Sequence, residues 1–108
     1  MRTREHNLQL LNAFVNIVFP KLAADYQWPI RLNHCFLRVI YDNVMQEKWS
    51  DKLPHPAYKH MTDVEIHKCV MLCEEIRRFP EILPGLNDIS LEYRNSSQEK
   101  GHAPVPSH

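Results

Sequence analysis

Apolar residues return at intervals of three and four in three separate stretches of this chain, a spacing that suits amphipathic helices and little else. In the first, Leu8, Leu11, Val15, Val18 and Leu22 mark one face, and Leu10, Phe14 and Ile17 widen it. In the third, Ile66, Cys69, Val70, Cys73 and Ile76 do the same. The middle stretch runs from Pro29 to about Gln46 and is apolar almost all round, as a helix enclosed by neighbours would be. Only two glycines occur in 108 residues. That scarcity argues against a turn-rich β fold and against a glycine-built phosphate loop. The expected fold is therefore all-α: a small helical bundle of three main helices plus a short C-terminal helix.

Punctuation between the stretches sharpens this picture. Helix formation should start near Thr3 or Arg4. Pro20 lacks an N–H and disfavours helical backbone at Phe19, so it should kink the first helix or begin a new one. Pro29 suits the first turn of the second helix. Thr62-Asp63-Val64-Glu65 spells a capping box, the strongest local signal in the chain. Arg77 and Arg78 complement the dipole at the end of the third helix, and Pro80 stops it. Pro84-Gly85 reads as a turn, after which Asn87 or Asp88 caps a short helix carrying Ile89, Leu91 and Tyr93. Residues 1–94 form a single domain. Residues 95–108 have almost nothing to bury and are expected to be a disordered tail.

The middle helix carries an anomaly. Arg31, His34, Arg38 and Asp42 lie at steps of three and four, which aligns them on one face. A guanidinium is always charged and offers a donor fork that fits a carboxylate or phosphate. Two outcomes are open. The four can neutralise one another in a complete network. Alternatively, the loop carrying Trp49, Tyr58 and His60 closes over them and makes an aromatic-walled pocket with polar groups at one end. On the second view the chain is a binding module for an anionic small molecule or an acidic peptide. Its site is Arg31, His34, Arg38, Asp42, Trp49, Tyr58 and His60. A competing view is a small enzyme in which His34 or His60 pairs with Asp42 for proton transfer. A third is an accessory subunit that docks a partner through helix 1.

Other chemistry is weakly signalled. Three cysteines, an odd number without a secretory signal, point to reduced thiols in a cytoplasmic or nuclear setting. Cys35, Cys69, Cys73 and His34 could in principle meet on one zinc. Their spacing lacks the paired-cysteine knuckle, so apolar burial explains the thiols better and no metal or cofactor is called for. Thirteen basic residues balance thirteen acidic ones, which argues against nucleic acid as a partner. No stretch approaches the roughly 20 apolar residues a membrane span needs.

Overall fold

The computed structural model describes residues 2–101, with side chains through 95. Among the described residues the chain is all-helical. Five helices, α1 (Arg4–Ala13), α2 (Phe19–Tyr26), α3 (Asn33–Met45), α4 (Asp63–Arg78) and α5 (Leu83–Gly101), pack around one apolar interior.

Helices α1 and α2 form one continuous rod, joined by a π-helical turn at Phe14–Val18. Thr3 starts it by accepting the His6 amide. Pro20 neither stops nor restarts the rod. It lies in the first turn of α2, just past the widened turn, where a missing N–H costs least. Widening the turn also carries the carbonyls behind Pro20 away from its ring. Asn7, Leu11, Val15, Phe19 and Ala23, all at steps of four, are each 3 % exposed or less. In a pure α-helix that spacing drifts by about 40° per step. A π turn winds fewer degrees per residue and takes back part of the drift, so all five remain buried.

Gln27 ends α2 in the left-handed conformation, φ 53°. The next residues stay extended because Trp28 turns inward: it is 2 % exposed and donates its indole N–H to the Pro80 carbonyl at 3.0 Å. Trp28, Phe19 and Phe36 meet edge to face, with centroids 5.5–5.9 Å apart, a favoured aromatic geometry. This anchor delays α3 to Asn33, four residues later than Pro29 suggests, and leaves Arg31 outside the helix.

Short 3₁₀ turns at Trp49–Asp51 and Ala57–Lys59 build the loop that follows, with Ala57 and Met61 buried beneath it. The capping box is formed: the Glu65 amide donates to Thr62 Oγ1 at 3.1 Å, and the Thr62 amide to Glu65 Oε1 at 2.8 Å. Helix α4 stops at Arg78 before Pro80.

The C-terminal helix departs from its short expected form. Pro84 and Gly85 lie in the first turn of α5 instead of in a turn before it, since a first-turn proline has no N–H to waste. The helix is 19 residues long and continues to Gly101, into the stretch expected to be a tail. The rest of that tail, 102–108, lies outside the described residues. No helix among the described residues is long and apolar enough to cross a membrane.

Candidate functional site

Helix α3 presents three faces, and each does something different. Phe36, Val39 and Ile40 are fully buried in the interior. Arg38 and Asp42 turn to α5. Leu37 and Tyr41, one turn apart, line an open groove shared with α1.

The face toward α5 is a closed polar network. Asp42 is 0 % exposed and accepts four hydrogen bonds. Ser90 Oγ donates to Oδ2 at 2.6 Å, and Arg94 Nε donates to the same oxygen at 2.9 Å. Oδ1 takes the Trp49 amide at 2.9 Å and Arg94 Nη2 at 3.3 Å. Arg38 does not meet Asp42 directly. Its Nη1 donates to Ser90 Oγ at 3.0 Å and its Nη2 to Asn87 Oδ1 at 2.7 Å, so Ser90 relays between the two charges. Asn87 and Ser90 are themselves buried. A buried carboxylate with every lone-pair direction occupied is a structural fixture.

The sequence-derived site residues therefore separate. Arg38 and Asp42 come together through α5. Arg31 and His34 are exposed, Arg31 on the extended segment and His34 in the first turn of α3. Trp49 is half-buried, holding Asp42 through its backbone while its ring packs edge-on to Tyr41 at 5.8 Å and His55 at 4.7 Å. His60 is exposed at the end of a 3₁₀ turn. Tyr58 stands away from the stripe, on the wall of the α1–α3 groove. Neither His34 nor His60 is among the hydrogen-bond partners of Asp42.

Asn87, expected with Asp88 as a candidate cap, lies inside α5 because the helix starts at Leu83, and neither Ser90 nor Arg94 was anticipated. Their spacing of three and four on α5 repeats that of the α3 stripe, a signal that becomes readable once α5 is started at Leu83.

The groove is the other candidate. It encloses about 340 Å³. Leu8, Leu11, Val15 and Leu37 supply aliphatic walls; Asn12, Tyr41 and Tyr58 supply the polar groups. Arg4 secures the Tyr58 wall, donating from Nη2 to the Tyr58 carbonyl at 2.6 Å and from Nη1 to Asp63 at 2.7 Å. At the α3 end, Asn33 donates to Asn16 and Asn16 to Asn12, both at 2.7 Å, tying the two helices together. Tyr41 is only 6 % exposed, yet none of the hydrogen bonds among the described residues involves its hydroxyl. Burial, reinforced by the neighbouring Cys69, Cys73 and Tyr58, pushes its pKa well up, so the hydroxyl keeps its proton.

All three cysteines are free. Cys69 and Cys73 are fully buried on α4, Cys35 half-buried on α3. Burial pushes the Cys69 thiol up to about 12 and Cys73 well up too. Among the described residues no three His, Cys, Asp or Glu side chains gather as a metal site would require. No family model, curated protein or solved structure matches this chain.

Proposed function

We propose that this protein is a small helical binding module whose ligand seats in the α1–α3 groove. The observation that carries the reading is the Tyr41 hydroxyl. Tyr41 is nearly buried as a residue, but its hydroxyl has no protein partner and stays accessible on the wall of a largely apolar groove. An accessible hydroxyl donor that no protein group occupies is free to meet a ligand. Apolar walls with a few convergent polar groups are the usual form of a small-molecule site, and about 340 Å³ lies at the small end of that range. Binding is favoured over catalysis because the carboxylate best placed to act as a base, Asp42, is sealed by four donors.

Amide and methyl NMR shifts during titration with small apolar-bodied molecules test this. Shifts centred on Leu8, Leu11, Leu37 and Tyr41 support the groove. Shifts confined to other surfaces, or none from any compound, refute it.

A second reading retains the anionic small molecule or acidic peptide. Arg94 pairs with Asp42, Arg38 reaches that carboxylate only through Ser90, and Arg31 and His34 stand exposed at the start of α3. The same titration run with inorganic phosphate and with an acidic peptide distinguishes it, because shifts would then centre on residues 31–38.

A further inference from the structure

The groove's chemistry narrows what it can hold. No side chain on its walls carries a formal charge at neutral pH. Arg4, the cation that secures the Tyr58 wall, is held by the Tyr58 carbonyl and by Asp63, which neutralises its charge. Turning it toward a ligand would release the segment that forms one side of the site. An anionic head would thus lose its water with no cation to meet it, a costly transfer.

Tyr41 sets the polar requirement. It lines the groove without a protein hydrogen-bond partner and, held protonated, is a donor first; its ring packs edge-on to Trp49. A neutral oxygen acceptor satisfies it without bringing charge into an apolar cleft. Size adds a further limit. A docked helix needs anchors at i, i+3, i+4 and i+7 along an extended groove. The cavity here, about 340 Å³ between the Asn12–Asn16–Asn33 tie and the Tyr58 wall, has room for one compact body.

We infer that the groove takes an uncharged small molecule with an apolar body and a single carbonyl-type acceptor, seated with that acceptor on the Tyr41 hydroxyl. This rests on the groove being the ligand site, as proposed above. Tyr41 is then the specificity-determining residue, and the aliphatic walls select by shape alone.

Three probes of matched shape separate these two claims: benzylacetone (a neutral ketone), hydrocinnamate (its carboxylate counterpart) and isopentylbenzene (its hydrocarbon counterpart). Each is titrated into the full chain, wild type and Tyr41→Phe, with dissociation constants read from NMR shifts of groove residues. Benzylacetone should bind wild type at least about tenfold tighter than hydrocinnamate. Tyr41→Phe should weaken benzylacetone by about tenfold, the worth of one hydrogen bond, and leave isopentylbenzene unchanged. Asn12→Trp, which fills the groove from its exposed rim, should abolish binding of all three while the circular dichroism spectrum keeps its helical form. Hydrocinnamate binding as tightly as the ketone overturns the inference, as does a Tyr41→Phe effect equal for ketone and hydrocarbon. In both cases the groove still binds, so the broader reading survives. If no probe shifts the groove residues, the groove reading itself fails and the ligand class falls with it.

Discussion

Ser90 donates its hydroxyl hydrogen to Asp42 across 2.6 Å, and both residues are fully buried. That bond joins α5 to α3 at the one place where, among the described residues, a carboxylate is buried. Its consequence is that α5 is held by polar geometry as much as by apolar contact.

Replacing Asp42 with alanine should cost about 3 kcal/mol or more. Four donors lose their acceptor, and Arg94 is left without its counter-charge. The low end of the range for broken buried pairs applies because the Arg94 side chain is 27 % exposed and water screens part of the loss. Urea denaturation decides the matter, and a loss under about 1 kcal/mol would show that the network contributes little.

Arg31 and Arg38 should behave differently despite their matching chemistry. Arg31→Met changes an exposed residue outside the helix and should move stability by no more than about 0.5 kcal/mol. Arg38→Met removes the partner of Asn87 and one of the two partners of Ser90, and should cost about 1–3 kcal/mol. Equal denaturation midpoints for the two variants would contradict the arrangement at the α3–α5 interface.

Thr62→Ala removes half of the capping box at the start of α4. The expected loss is about 1 kcal/mol, visible as a lower urea midpoint with an unchanged slope. An unchanged midpoint would mean that the cap does not support the helix.

Stability should fall at alkaline pH. Cys69 is raised from 9.0 to about 12, and Cys73 and Tyr41 are raised as well, all chiefly by burial. Below pH 9 the thiols are protonated in both folded and unfolded chains, and their contribution is complete. Above that, the unfolded chain releases protons that the folded chain must keep. Stability therefore declines as pH rises from about 9 toward about 12. Urea midpoints across this window should show the decline, and Cys69→Ala should make it shallower. A flat profile would place these thiols in contact with water.

A thiol count gives an independent reading of the same burial. In the folded state a maleimide reagent at neutral pH should label Cys35 and spare Cys69 and Cys73, because the buried thiols are both inaccessible and protonated. After denaturation all three should react. Rapid labelling of three thiols in the native protein would contradict the packing of α4.

Local signals carried far into the fold, and tertiary ones were harder to read. The capping box, the stop at Pro80 and the apolar faces of the first and third helices follow from residues within one or two turns of each other. What the sequence could not show was where Trp28 goes. Its burial against Pro80, 52 positions away, pulls residues 28–32 out of helical form and takes Arg31 off the stripe. The stripe itself was legible as a problem, whereas its solution lay in Asn87, Ser90 and Arg94 on a helix whose start was misplaced by the Pro84-Gly85 pair. The groove was hidden for a different reason. Leu8, Leu11 and Val15 have the pattern of core residues, and only the placement of Tyr41 and Tyr58 shows that part of this face stays uncovered.

The widened turn at Phe14–Val18 acts as a phase corrector for the rod it interrupts. Upstream it aims Leu8 and Leu11 at the groove; downstream it returns Phe19 and Ala23 to the interior. Deleting one residue here would let the turn close as ordinary α-helix and keep the two halves in nearly the same phase. Phe19 would still meet Trp28 and Phe36, and the aromatic cluster would survive. Relatives of this chain should therefore vary at the exposed positions Asn16 and Ile17 and, where they lack the widened turn, be one residue shorter between Leu11 and Phe19.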